Sequence, residues 1–449
     1  MKFWKVNRKF KSAIAFILIL LTYNCIANAQ ESVSISLEEA WQRANTHSKE
    51  LQVRNIDTKI GEEKILDAKS KWLPELGVNA SYGKLANIPV FKNGILKSPD
   101  YIPLEDHSVY DAGIEAYFNL YNGHKTKIQV KQAETKQALL QYLKEESSSN
   151  VHYKVAQNYL GIQASLAFKR LIERNIYKNN ERLNQIEKLY HNGVVLKSDL
   201  LRSQLQLSQQ KTNLLKMENN LELSTQQLNI LIGYKDDQAI KPTDSIAIGF
   251  EFIKTELLYQ DYLGQAIQLS PLEKMAQAQI TMTQLYEKDV KADKLPKIGL
   301  FGEYTYSYPQ IKLYPYSNSP YLMGAAGIKV SYNISALYHD KHKERAASIS
   351  VKKQELAKKQ TEDQLRIGVK TAYKRFHENL KEIETAKMNI QQAEENYRIV
   401  NQTYFNQLAL LTDLLAADTQ LLQAKFELVT NQISAKLHYY QLLKTTGQL

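Results

Sequence analysis

The sequence is poor in residues that interrupt or cross-link a chain. Its 449 residues include one cysteine, 10 prolines and 17 glycines. A single cysteine excludes a disulfide scaffold and a cysteine-rich zinc module, and the scarcity of proline and glycine favours long helices. The sequence has no glycine-rich phosphate loop. Beyond residue 25 it also has no apolar run approaching the ~20 residues that a membrane-spanning helix needs.

The N-terminus has the pattern of a cleaved export signal. Residues 1–11 contain five basic residues and no acidic one, and an apolar stretch over 13–21 follows. Ala27 and Ala29 then supply the small residues of a cleavage site. We predict a signal peptide over 1–29, cleaved after Ala29. Acylation of Cys25 is the alternative, and it would give a lipoprotein that starts at that residue.

The predicted export also limits the possible partners. Cleavage removes five basic residues from a chain whose net charge is +11. An exported chain of modest charge without a clustered basic stripe argues against nucleic acid as a partner. A mature chain without cysteine suits the oxidising envelope.

The mature sequence contains an internal duplication, and such a repeat determines the architecture of a fold. Ala44 and Ser48 match Ala266 and Ser270 at one constant offset, and a second offset continues the match to the end of the chain. We predict repeat one over 30–233, repeat two over 258–449 and a linker, or equatorial segment, over 234–257.

Each repeat contains two segments in which apolar and polar residues alternate. An example is 75–82, where Leu76, Val78, Ala80 and Tyr82 alternate with polar or small residues. This period predicts strands with one apolar and one polar face. The four strands are expected at about 74–86, 108–121, 296–309 and 320–335. Their length matches the ~9–11 residues of a strand that crosses a bilayer.

The remaining sequence has a helical period with a seven-residue repeat. Leucines at 200, 207, 214, 221 and 228 lie seven apart, and the series 414, 421, 428, 435 and 442 matches them in repeat two. Such a repeat predicts helices that pack along a seam, as in a coiled coil. The expected helices are 36–72, 124–190, 198–232, 259–294, 338–404 and 412–446.

Four amphipathic strands cannot close a barrel, so the sequence predicts an oligomer. Each unpaired backbone group at an open sheet edge costs several kcal/mol in hydrocarbon. Two copies would give eight strands with a filled interior, whereas three would give twelve strands around an open pore. The polar face suits a water-filled pore and favours three. We predict its lumen residues to be Glu75, Asn79, Glu115, Glu303 and Lys329.

Tyrosines cluster near the predicted strand ends, as in the aromatic girdles of transmembrane barrels. They are Tyr101, Tyr110, Tyr304, Tyr306, Tyr308, Tyr314, Tyr316 and Tyr321. The alternative is that these tyrosines pack within a soluble β-sandwich.

The complete pattern resembles the TolC-type outer-membrane efflux proteins, also called outer membrane factors, of Gram-negative bacteria. The resemblance is carried by Ser36-Leu37-Glu38-Glu39-Ala40, by Leu73-Pro74 and Leu295-Pro296, and by segment 118–123. It implies an α+β membrane protein: a trimeric 12-stranded transmembrane β-barrel, four strands per chain, continued by an α-helical coiled-coil tunnel in the periplasm. It also implies a periplasmic adaptor and an inner-membrane pump as partners.

The resemblance further implies a constriction at the periplasmic helix tips, which include Gly193, Ser198, Asp199, Thr412 and Asp413. The family pattern has two acidic residues three apart at this point. Asp413 occupies the first position. The second position is Ala416, and Asp418 lies two residues further on. We predict Asp413 as a gate residue. It also suits a helix start, where an aspartate caps the first turn, and both roles are compatible.

No catalytic, metal or cofactor site is predicted. His339 and His342 form the one histidine pair within a helical turn, and no further ligand accompanies them. The main functional prediction is a passive exit duct of a tripartite efflux or type I secretion system. The alternative is a coiled-coil scaffold of the envelope without a pore. The sequence leaves open whether the duct carries small molecules or proteins.

Overall fold

The computed structural model describes residues 32–102, 107–247, 258–312 and 314–449. The predicted signal peptide, its cleavage after Ala29 and the lipidation of Cys25 therefore lie outside the described residues. The same holds for 248–257 of the predicted linker.

Helices account for most of the described chain. Their bounds are α1 Leu37–His47, α2 Lys49–Ser70, α3 Lys125–His191, α4 Lys197–Ile232, α5 Tyr259–Leu269, α6 Pro271–Ala292, α7 Ala336–His339, α8 Lys341–Phe405 and α9 Leu411–Thr446. Within the described ranges, no helix has a run of apolar residues long enough to cross a bilayer.

The described residues also form strands, which are grouped in three sheets. The strands are β1 Val33–Ile35, β2 Glu75–Lys84, β3 Pro89–Val90, β4 Asp100–Tyr101, β5 Ser108–Tyr121, β6 Ile240–Pro242, β7 Lys297–Tyr308 and β8 Tyr321–Ser331. Strands β2, β5, β7 and β8 form one antiparallel sheet in that order, β1 pairs with β6 in parallel, and β3 pairs with β4.

The compact units of the structure do not coincide with the two sequence repeats. Of the described residues, one unit comprises those within 53–146 and 271–364, and the other comprises those within 32–52, 147–270 and 365–449. Each unit therefore combines parts of both repeats. The reason is visible in the sheet, where β5 of the first repeat pairs with β7 of the second.

The unit that holds the four-stranded sheet is called the strand unit, and the other is called the helical unit. In the helical unit, the main core gathers Val155, Tyr159 and Ile162 from α3 with Leu228 from α4. The heptad leucines face the interior, since Leu207, Leu421 and Leu442 are buried. The predicted seam is therefore the packed face of these helices.

Helix ends follow local sequence signals. Ser36 Oγ accepts from the Glu39 amide at 3.2 Å, and the Glu39 carboxylate accepts from the Ser36 amide at 2.8 Å. This reciprocal capping box starts α1. Gly233 and Gly447 end α4 and α9 with φ of 76° and 74°, a left-handed conformation in which glycine lacks the strain of other residues.

The structure corrects several predicted elements. The helices predicted over 36–72 and 259–294 are each two helices, broken at Ser48 and Ser270. Ser270 precedes Pro271, which disfavours helical backbone at the preceding residue. The last strand ends at Ser331 rather than 335, and the segment predicted to be a linker contributes β6 to a parallel pair with β1.

Candidate functional site

The four-stranded sheet has one apolar face, which is exposed. Leu76, Val78 and Tyr82 of β2 lie on it, and Val78 is 83% exposed. The face continues over Ile114 of β5 and Ile328 of β8, which are exposed as well. A large apolar surface that no element of the described residues covers marks a contact with lipid or with another protein.

A row of tyrosines crosses this apolar face near one end of the strands. Tyr82 lies opposite Tyr110, which in turn lies opposite Tyr308. The rings of Tyr110 and Tyr308 stack with centroids 4.9 Å apart. At the other end of β2, Trp72 and Leu73 are exposed. Nine residues of strand span roughly 30 Å, which at the ~35–45° tilt of barrel strands gives a height of roughly 21–25 Å, close to the ~25 Å apolar band that aromatic residues flank in transmembrane barrels.

The opposite face of the sheet carries the predicted lumen residues. Glu75, Glu115, Glu303 and Lys329 line one concavity of about 890 Å³. Asn79 lies further along the same face of β2, opposite Gly113.

Two of these carboxylates are direct cross-strand neighbours, since Glu115 pairs with Glu303 between β5 and β7. Like charges at such a position destabilise a sheet unless water screens them. The Glu115 side chain lies over Gly77, where an added Cβ would come within 2.8 Å of its carboxylate. The glycine thus provides room for the carboxylate, and the pairing favours a hydrated face.

The sheet has two open edges. Strand β2 pairs only with β5, and β8 pairs only with β7, among the residues that the structure describes. Their directions alternate, so β8 of one copy would meet β2 of another in antiparallel fashion. Within one chain, the outer backbone N–H and C=O groups of β2 and β8 therefore have no strand partner among the described residues.

The helix tips form two tight turns in the helical unit. Gly193 follows α3 with φ of 72°, and Gln407 follows α8 with φ of 61°. Asp413 is exposed in the first turn of α9, and its carboxylate accepts from the Leu410 amide at 3.2 Å. Asp413 therefore caps the helix. Ser198 and Asp199 lie in the first turn of α4, and Thr412 lies next to Asp413.

Asp418 has a role that sequence reasoning missed. Its side chain is 3% exposed and pairs with the 5% exposed side chain of Arg182, with Nη1 and Oδ2 separated by 3.3 Å. Asn175 donates to both carboxylate oxygens at 3.3 Å, and Arg182 donates to the Tyr397 hydroxyl at 2.8 Å. Burial lowers the pKa of Arg182, but the charges of Asp418 and Tyr397 and the hydrogen bonds to both together outweigh it, so the pKa is raised.

A signal for this buried position exists in the sequence. Asp418 lies four residues after Leu414 and three before Leu421, which is the spacing of the packed face of α9. An aspartate on such a face needs a buried cation as partner. Asp418 thus belongs to the interior of the helical unit, and Asp413 is the exposed carboxylate at this tip.

A second polar cluster fixes the chain after α4 to the helices. Asp244 Oδ2 accepts from the Tyr159 hydroxyl at 2.6 Å and from the Leu37 amide at 2.8 Å. Lys436 donates to the Ser245 carbonyl. Burial raises the pKa of Tyr159 and lowers the pKa of Lys436, although Asp244 partly opposes the latter shift. These bonds keep β6 paired with β1.

In the described ranges, no group of three or more His, Cys, Asp or Glu side chains is arranged to hold a metal ion.

The fold is that of known outer-membrane channels. The outer-membrane channel OprN is 13% identical, with 92% of this chain and 90% of that chain covered and a TM-score of 0.76. VceC of Vibrio cholerae is 17% identical over 92% and 96% of the two chains, with a TM-score of 0.74. CmeC of Campylobacter jejuni is 13% identical over 92% and 85%, with a TM-score of 0.73.

Sequence comparison agrees with this class. Residues 40–234 match the sequence model of the outer membrane efflux proteins. No curated protein matches the chain. The family match covers most of repeat one, and the shared fold extends over both repeats. Together they confirm the predicted resemblance to outer-membrane efflux proteins, and with it the predicted fold class of long helices and four strands per chain.

Proposed function

We propose that three copies of this chain form an outer-membrane channel, which serves as the passive exit duct of a tripartite efflux or type I secretion system. The observation that carries the proposal is the open four-stranded sheet, with an apolar outer face and a charged inner face. Twelve strands enclose an open pore, whereas eight leave an interior filled by side chains. The repulsion between Glu115 and Glu303 favours the wider, hydrated interior.

The proposed duct lies in the outer membrane of a Gram-negative bacterium, and its helices extend into the periplasm. This placement follows from the predicted export signal and from the resemblance of residues 40–234 to outer membrane efflux proteins. In this account the lumen residues conduct and filter, and no covalent chemistry takes place. Energy and the choice of substrate come from an inner-membrane pump, which a periplasmic adaptor couples to the helix tips.

Single-channel recording of the full-length protein in planar bilayers tests the proposal. We expect discrete conductance steps. Because a constriction at the helix tips would block current through a closed channel, a Leu414→Ala variant with loosened tip packing is recorded beside wild type. Leu414 is fully buried among Ile186, Tyr404 and Leu411, and its truncation costs roughly 2–5 kcal/mol of packing. Silence of folded wild type and of this variant alike contradicts a pore and favours the scaffold.

We further propose that Asp413 contributes an acidic ring at the constriction in addition to capping α9. Asp413→Asn separates the two roles, because asparagine retains a side-chain acceptor for the Leu410 amide and removes the charge. We expect a lower cation preference with unchanged helix content. Unchanged cation preference and conductance in Asp413→Asn would restrict this residue to its capping role. Thr412→Ala, at the adjacent exposed residue, is the matched control.

A further inference from the structure

The chain between β8 and the second turn of α8, residues 332–345, is called the collar segment. Its first residues continue the apolar alternation of β8 in the sequence, and they then enter a turn and the short helix α7. Val330 is the last apolar residue of β8 on the apolar face of the sheet, and Tyr332 and Ile334 maintain the same alternation although β8 ends at Ser331. Both are exposed, Ile334 by 65%, and so are Leu337 and Tyr338 in α7.

Basic residues follow directly after this apolar stretch. Lys341 and Arg345 are exposed and lie one helical turn apart at the start of α8, so both project from one side of the helix. Apolar and aromatic residues followed within a turn or two by cations match the order of layers at a membrane surface, from hydrocarbon to phosphate.

Among the described residues, Asp340 next to Lys341 forms no ion pair with either cation, and the other acidic side chains nearby pair with other lysines. Asp293 pairs with Lys125 at 2.7 Å and with Lys343 at 3.4 Å, and Glu344 pairs with Lys294. Lys341 and Arg345 have no ion pair within the described residues of the strand unit. Their charge therefore remains available for an external anion.

The corresponding junction of the first repeat lacks the exposed apolar stretch. After β5 ends at Tyr121, the residues up to 131 present no large exposed apolar side chain among those described. Lys125, the first residue of α3, is half-buried and engaged by Asp293. Lys127 and Lys131 are exposed in α3 as well, so the collar segment is distinguished by the exposed apolar stretch that precedes its cations.

We propose that the collar segment binds anionic phospholipid of the periplasmic leaflet. The exposed side chains of Ile334, Leu337 and Tyr338 contact acyl chains, and Lys341 and Arg345 bind the phosphate of the headgroup. Phospholipid is chosen as the ligand because the apolar sequence runs on from the apolar face of the sheet, and because an anionic headgroup complements the charges of Lys341 and Arg345. This inference rests on the proposed orientation, with the helices on the periplasmic side.

The test is native mass spectrometry of the full-length protein in detergent with added phosphatidylglycerol. Each basic residue near an anionic lipid surface contributes roughly a five-fold gain in affinity, so Lys341→Gln/Arg345→Gln is expected to weaken binding roughly 25-fold. The matched control, Lys352→Gln/Lys359→Gln, removes the same charge from exposed positions about 16 and 27 Å further along α8. We expect the control to bind as wild type does.

Three outcomes would overturn the inference. They are equal losses in both double variants, no loss in either, and displacement of the lipid by inorganic phosphate at moderate concentration, which would indicate a simple anion site. A Lys341→Arg variant is expected to retain binding, which separates loss of charge from loss of fold.

Conductance of the same preparations separates this inference from the proposed function. If wild type shows normal conductance steps and Lys341→Gln/Arg345→Gln binds phosphatidylglycerol as wild type does, the lipid site on the collar segment is rejected and the pore is not. Absence of steps from wild type and from Leu414→Ala rejects the pore, whatever lipid is bound.

Discussion

Replacing Arg182 by methionine removes the cation of the buried pair with Asp418 and leaves the carboxylate in the interior of the helical unit. The pair is almost fully enclosed, with side chains 5% and 3% exposed. Removing one partner of a buried ion pair typically costs about 3–5 kcal/mol, because the remaining charge has lost its compensation. The Asn175 amide still donates to Asp418, but the Tyr397 hydroxyl loses its donor.

Hydrogen exchange of peptides covering 390–420 measures the loss where it occurs, because local opening controls amide exchange. A cost of 3–5 kcal/mol corresponds to roughly a hundred- to several-thousand-fold faster exchange of protected amides. The double variant Arg182→Met/Asp418→Leu removes both charges and is expected to recover most of the protection.

The matched control for this prediction is Arg398→Met on the same tip. Arg398 pairs with Glu395 at 2.6 Å, but both side chains are more than half exposed, and such pairs contribute little. The reasoning fails if Arg182→Met accelerates exchange no more than Arg398→Met does.

Three further predictions follow from the described geometry. Val78→Lys places a charge on the apolar face, which faces the bilayer in the proposed channel, and should cost about 2–4 kcal/mol near the membrane midplane. Asn79→Lys, on the opposite face that lines the proposed lumen, should fold normally; the yield of heat-resistant oligomer measures both. Burial lowers the pKa of His152, so its contribution to the free energy of unfolding is constant above the unfolded pKa of about 6.5 and is lost as pH decreases through the lower folded value. In His152→Gln, the free energy of unfolding from urea titrations should depend less on pH in this range. Gly447→Ala is expected to lower the free energy of unfolding by at least about 1–2 kcal/mol, because the backbone is left-handed there. The loss is larger because the new Cβ would lie 2.8 Å from the Leu269 carbonyl oxygen. Thermal unfolding measures it, with Gly302→Ala, whose Cβ would have open space, as the control.

The strands were predictable because each is specified by a local pattern. Alternation in 75–82 and in its three counterparts determines which residues share a face, and the structure gives β5 the predicted bounds of 108–121. The heptad leucines likewise identified the packed side of α4 and α9. The oligomer stays a prediction, which rests on counting strands, because four amphipathic strands cannot pair all of their own edges.

What sequence reasoning missed depends on contacts between distant residues. The pair of β1 and β6 joins three-residue strands more than 200 positions apart, and neither strand is long enough to have a period. Ser48 breaks a helix without a proline to indicate it. Arg182 and Asp418 each resemble an ordinary charged helix residue until packing brings them together. The pore-lining role of Asp413 stays a prediction, because it depends on how three copies meet.

The most direct test of the central claim is the native mass of the folded protein extracted from membranes in mild detergent. Closure of the edges of β2 and β8 by copies of the same chain predicts a complex of three mature chains. A folded, functional monomer, or a stable dimer with eight strands, would contradict the twelve-stranded pore.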